Sequence, residues 1–218
     1  MTMTPDEIWT AVSAARTGMI DLLDDLADAD WDQPSLCAGW RIREVVAHVV
    51  ISSDPNTLRL LAELAKARGS IARLNFDMAL RHTDGATPAQ LLAEMRACVP
   101  LRKTPLGTTP ADRLMDVLVH TGDIAIPLGR RCEIPTAAGI LALERVWDTN
   151  WLFHAKQRLG GFRLVATDAD WAVGSGPRVE GPVGALLMLA SGREVFAELT
   201  GDGAAQLSSA RGGHARPV

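Results

Sequence analysis

The run Asp116-Val117-Leu118-Val119-His120-Thr121-Gly122-Asp123 sets two carboxylates and an imidazole on one narrow stripe of an otherwise apolar segment. At about 100° per residue on a helix, Asp116, His120 and Asp123 fall within about 60° of one another, while Leu114, Val117, Leu118 and Ile124 point elsewhere. An ordinary solvated face is the plain reading of such a stripe, but those faces are wider and favour Lys, Glu, Arg and Gln. Short Asp and His among Leu, Val, Met and Ile suit a stripe that looks inward to a polar pocket. Asp116 and His120, four residues apart, stand about 6 Å along the axis on one face and can reach one ion. A second histidine, His48, interrupts the apolar run Val45-Val46-Ala47-His48-Val49-Val50-Ile51. A buried imidazole needs a partner. Taken alone, His48 reads as a core histidine, with Glu44 one turn earlier as its carboxylate. Taken with the Asp116/His120 pair, it completes a two-histidine, one-carboxylate set suited to a divalent transition metal. Zinc accepts three such ligands and keeps an open position for water or substrate; the same set serves non-haem iron.

The remaining histidines and the cysteines carry less. His82 lies beside a Thr-Asp-Gly turn, His154 on a helix flank and His214 near the C-terminus, none with a ligand-spaced neighbour. Cys37, Cys98 and Cys132 are odd in number, widely spaced and without a Cys-x-x-Cys, which argues against a disulfide framework and a zinc knuckle. Cys37 reads as a packed loop cysteine rather than a nucleophile, and Trp31 and Trp40 as loop anchors.

Helices must position the stripe. Apolar residues recur at three- and four-residue spacing from Pro5 to Ala29, then from Arg41 to Ser53, which carries His48, and from Asn56 to Arg68. Thr87-Pro88 opens a helix to Ala97, and Thr109-Pro110 opens the one bearing Asp116, His120 and Asp123, closed by Pro127 and Gly129. Thr136 to Arg158 reads as a further helix. After Gly160-Gly161 the pattern changes to short extended segments, Phe162 to Thr167 and Trp171 to Val173, then an apolar helix from Pro182 to Ser191. The expected organisation is mainly α: a four-helix bundle over residues 1–159, a small α+β domain over 160–205, and a flexible tail over 206–218.

Composition excludes several functions. The chain has 218 residues, a formal net charge of −4, no tyrosine and no basic cluster, so nucleic acid is not an expected partner. The sequence shows no membrane-length apolar stretch and no signal-peptide pattern at its N-terminus, so a cytoplasmic location and no membrane partner are expected.

Three segments resemble a known family. "LLDDLADADWDQPSLCAGWRIREVVAH", ending at His48, is similar to the N-terminal signature of the mycothiol-dependent maleylpyruvate isomerase family, a branch of the DinB-like metal-binding four-helix bundles. "DVLVHTGDIAIPLG" resembles its second signature, an acid-x-x-x-His pair before Asp-Ile and Pro-Leu-Gly. "FRLVATDADWAVGSGPRVEGPVGALLMLASGRE" resembles its small C-terminal domain. The resemblance implies a DinB-like fold and a metal, zinc foremost, held by His48, Asp116 and His120. It also implies a low-molecular-weight thiol such as mycothiol as co-substrate, and an actinobacterial-type host. The enzymes of the family commonly carry Glu at the position of Asp116. Asp is one methylene shorter, so the helices must approach more closely or a water must intervene.

The expected function is thiol-dependent isomerisation or S-transfer on a small electrophilic substrate, with Asp123 and Glu44 behind the ligands and Arg193 gripping a substrate carboxylate. The alternatives are a non-catalytic metal-binding or ligand-sensing bundle and a non-haem iron oxygenase. Monomer and homodimer are both open.

Overall fold

The computed structural model describes residues 3–149 and 152–212 and is mainly helical, in two compact units, Met1–Cys132 and Glu133–Val218. The first unit contains α1 (Pro5–Asp24), α2 (Ile42–Ser53), α3 (Thr57–Lys66), α4 (Ile71–Thr83), α5 (Pro88–Cys98) and α6 (Pro110–Ala125). Three of these helices begin alike. Thr4, Thr87 and Thr109 each accept from the backbone N–H three residues on, proline occupies the first turn, and Glu7, Gln90 or Asp112 reaches back to the cap. Such a cap is worth about 1 kcal/mol and fixes where the helix starts.

α1, α2, α5 and α6 form the four-helix bundle: α1 packs on α5 and α6, and α2 packs on the same pair. Its core holds Met19, Leu23, Trp31, Val45, Val49, Leu91, Met95, Val117 and Ile124. A buried arginine ties the far end together. Arg16 on α1 donates from Nη1 to the carbonyls of Cys98 and Leu101, 2.7 Å each, and from Nη2 to Ser53 Oγ at 3.0 Å. Cys98 is the last residue of α5, and its carbonyl accepts from the guanidinium as well as from Leu101 N–H at 3.0 Å.

α3 and α4 are inserted between α2 and α5, with α4 lying on α2 and α3 on α4. The sequence reading leaves Ile71–Thr83 unassigned, yet Ser70 caps α4 through Arg73 N–H, and Leu74, Met78 and Ala79 are buried.

The second unit contains α7 (Thr136–Thr149), α8 (Ala155–Leu159), β1 (Arg163–Ala166), β2 (Ala172–Gly174), β3 (Arg178–Gly181), α9 (Val183–Ala190) and α10 (Asp202–Gly212). The sheet order is β2-β1-β3, with β1 antiparallel to β2 and parallel to β3, Leu164 facing Val173 on one side and Val179 on the other.

Three expectations are corrected here. The boundary falls between Cys132 and Glu133 rather than at Gly160-Gly161, because α7 packs on α9 and so joins the C-terminal unit. Gly139 makes that approach possible: a Cβ there would stand 2.6 Å from Val183 Cγ1. The helix expected to run from Thr136 to Arg158 is not continuous: α7 is described as far as Thr149, and α8 starts separately after His154, whose φ is +49°. The tail expected from residue 206 is helical in its described part, since α10 runs to Gly212 and buries Ala204 and Leu207. His214 lies outside the described residues. No described helix is long and apolar enough to cross a membrane.

Candidate metal centre

α6 is buried along most of its length, from Asp112 to Ala125, so the polar stripe on it must be satisfied inside the protein. α2 faces it. His48 Nε2 stands 3.3 Å from Asp116 Oδ1, and His120 Nε2 stands 3.6 Å from the same oxygen. The three donor atoms of His48, Asp116 and His120 lie within 4.8 Å of one another.

This arrangement fits a divalent cation by a simple test. Ligands about 2.0–2.2 Å from a tetrahedral zinc stand about 3.3–3.6 Å apart along the edges of the tetrahedron. The two separations from Asp116 Oδ1 match that edge. Asp116 Oδ1 thus stands between the two imidazoles.

The second oxygen of Asp116 is held from behind. Oδ2 accepts from Ser52 Oγ at 3.1 Å and from Arg113 Nη1 at 3.3 Å, and the same Nη1 donates to the Ser52 carbonyl at 3.3 Å. One carboxylate oxygen is thus fixed by α2 and by the preceding turn of α6, and the other is left to face the histidines. Burial raises the Asp116 pKa, but Arg113 and the two imidazoles outweigh it, and the carboxyl is held far below the usual carboxylate range.

The two histidines differ. Burial pushes His48 below the ordinary imidazole value, and Asp116 offsets this only in part. His120 is also penalised by burial, but Asp123 Oδ2 lies 2.9 Å from its Nδ1, and this bond, with Cys37 and Asp116 nearby, pushes the ring up to about 10. A cation must therefore compete with a proton at His120. Fully buried Asp123 also accepts from Cys37 Sγ at 3.0 Å, and Cys37 Sγ lies 3.8 Å from His120 Nδ1.

The loop before α2 closes the site from above. Its ends are tied by the Pro34 to Arg41 bridge and by Ser35 N–H to the Trp40 carbonyl at 3.0 Å, and Leu36 N–H donates to the Asp123 carbonyl on α6 at 3.1 Å. Gly39 turns the loop with φ +78°. This brings the Trp40 ring to 5.3 Å from His48 and 6.2 Å from His120, centroid to centroid, with the imidazoles 4.9 Å apart.

Among the residues singled out in the sequence, the fold brings His48, Asp116, His120 and Asp123 together. Glu44 is a correction: it does not serve His48 but caps α2, accepting from Arg41 N–H at 2.8 Å, from the Arg41 guanidinium and from Thr83 Oγ1 at 3.0 Å. Glu44 shares a face with His48, but it occupies the first turn of α2, where its carboxylate turns back to the helix start and is taken by Arg41 and by Thr83 on α4. Arg193 belongs to the second unit, where its Nη1 donates to the Ser191 carbonyl at 2.7 Å. His82 pairs with Glu94 at 2.6 Å.

The sequence singles out neither Ser52 nor Arg113, although both carry a helical signal, four residues after His48 and three before Asp116. Cys37 and Trp40 arrive from a loop, where no spacing rule predicts the neighbour.

Residues 12–113 match the family model described as mycothiol maleylpyruvate isomerase N-terminal domain. Two solved structures have the same fold. The crystal structure of the mycothiol-dependent maleylpyruvate isomerase aligns at 16% identity and that of a histidine-to-alanine mutant of it at 17%, each with a TM-score of 0.64 over 94% of this chain and 97% of that one. No curated protein sequence gives a significant match.

Proposed function

We propose, from the premise that this chain carries a mycothiol maleylpyruvate isomerase N-terminal domain within that isomerase's fold, that it is a metal-dependent enzyme using a low-molecular-weight thiol such as mycothiol. The reaction is isomerisation or S-transfer on a small electrophilic substrate. The observation that carries this reading is the convergence of His48 Nε2, His120 Nε2 and Asp116 Oδ1 within 4.8 Å, with both nitrogens at tetrahedral-edge distance from the oxygen. His48, Asp116 and His120 would hold the metal, with zinc favoured by the nitrogen and oxygen donors. When bound, a divalent cation with an open position favours the ionised form of a thiol and so supplies a nucleophile at neutral pH.

The chain's own residues prepare that position. Asp123 keeps the Nδ1 proton on His120, which leaves Nε2 turned toward Asp116. Ser52 and Arg113 fix the carboxylate so that one oxygen is presented. Trp40 lies against both imidazoles and limits water on that side. Three protein donors, rather than four, are the pattern of a catalytic site.

The test is elemental analysis of the purified, tag-free protein beside His48→Ala, His120→Ala and His154→Ala, followed by a thiol-dependent cis–trans isomerisation assay. Near-stoichiometric metal in the wild type and in His154→Ala, lost in the other two, with turnover only when the thiol is present, is the expected result. Equal metal in all four proteins would sink the ligand assignment.

A further inference from the structure

Beside the candidate metal centre lies a cavity of about 250 Å³. His48 and Ser52 form part of its lining, so it borders the residues that hold and orient Asp116. Leu60, Leu64, Leu74 and Met78 supply walls from α3 and α4. No Asp, Glu, Lys or Arg lines it.

We propose that this cavity binds the electrophilic substrate, and that this substrate is an uncharged, largely hydrocarbon molecule of about ten non-hydrogen atoms, not a small dicarboxylate. The assignment rests on the thiol-enzyme reading above and names the substrate class for it. Three observations support it. The first is charge: no charged Asp, Glu, Lys or Arg side chain lines the cavity, so a dicarboxylate entering here would lose its hydration with only the metal held on the His48 side to offset a cost of several kcal/mol or more. The second is size: a dry cavity of about 150 Å³ takes benzene, with six non-hydrogen atoms, and the same ratio gives about ten for 250 Å³. The third is incomplete burial. α3 has no buried residue, although Leu60, Leu61 and Leu64 lie along one side of it, and all three line the cavity. Leu61 remains 52% exposed and Leu106, on the loop that also lines the cavity, 77%. An apolar occupant would complete that face. Asn75, partly buried in the lining, is one of the polar groups available to a carbonyl on such a substrate, with Thr57 and Thr108.

The experiment uses naphthalene, an uncharged probe of the required size, and maleate as the dianion, with binding to the full-length protein followed by saturation-transfer NMR. Leu64→Trp fills the cavity from α3. Leu61→Asp adds a charge to the lining at a position exposed enough for folding to tolerate it, and circular dichroism and metal content are measured on every protein. Saturable naphthalene binding, weakened at least tenfold by both variants with folding and metal content unchanged, and no displacement by maleate, is the expected result. Naphthalene binding untouched by either folded variant, or maleate bound in preference, would overturn the proposal. So would a wild-type dimer that Leu61→Asp dissociates without any saturable naphthalene binding, which would place a second copy against this face. Naphthalene bound as expected by a protein that takes up no metal would support the cavity assignment and overturn the metal reading, so the two fail separately.

Discussion

Replacing Asp123 tests whether the buried carboxylate tunes the metal centre or only fills space. Asp123 is fully buried and accepts from His120 Nδ1 at 2.9 Å and from Cys37 Sγ at 3.0 Å. Asp123→Asn keeps an acceptor of nearly the same shape and removes the charge. A hydrogen bond to a charged group contributes about 1.5–3 kcal/mol and a neutral one about 0.5–1.5. The difference, about 1–1.5 kcal/mol, corresponds to roughly tenfold weaker metal binding. Asp123→Ala removes the acceptor as well, frees the imidazole to rotate, and should cost about 100-fold, the upper end for such supporting contacts. A competitive titration against a chromophoric chelator of known zinc affinity measures both, with circular dichroism to establish folding. Two folded variants with wild-type affinity, beside a His120→Ala protein that has lost the metal, would refute the role given to Asp123. Loss in the alanine variant alone would show that the acceptor matters and the charge does not.

Asp116→Glu should weaken metal binding by about tenfold, although it installs the residue more usual in the family's enzymes, because Oδ1 already meets both imidazoles at tetrahedral-edge spacing while Ser52 and Arg113 anchor Oδ2; the same chelator titration reads it. Glu44→Gln should lower stability at neutral pH by about 2 kcal/mol through loss of charge-assisted bonds to Arg41, read by urea denaturation. Burial opposes the Glu44 charge, but its bonds from Arg41 and Thr83 prevail and hold the folded carboxyl below its unfolded value. Its contribution is therefore complete above the ordinary carboxylate range and fades as pH falls through the folded value, so the gap between wild type and Glu44→Gln should close in acid. Gly139→Ala should destabilise the second unit by about 1–3 kcal/mol in thermal unfolding, because its new methyl meets Val183 Cγ1 at 2.6 Å and Ile134 Cγ2 at 2.9 Å. Substituting Gly161 with Ala, where nothing lies within 4 Å, is the control.

Local chemistry made much of this protein readable. The Thr-Pro starts at Thr87 and Thr109 announce α5 and α6 because a hydroxyl cap and a fixed proline φ act within one turn. Asp116, His120 and Asp123 could be assigned to one stripe because helical phase is a property of spacing alone. α4 escaped because its buried residues, Leu74, Met78, Ala79 and Thr83, are few and set among charged and polar ones, and its apolar side is covered only in the folded chain, by α2 and α3. The domain boundary escaped for a related reason: α7 has the periodicity of a bundle helix, and only its packing on α9 tells which unit it joins.

What the sequence determined by itself was which residues could share a helix face, and so which donors were available on α2 and on α6. Which oxygen of Asp116 faces the histidines, where Glu44 goes, and that Cys37 and Trp40 lie against His120 were decided only by the tertiary structure. Spacing along a helix fixes direction over a few residues, whereas contact between α2, α6 and the loop before α2 depends on how their apolar faces pack, and that is a property of the whole bundle.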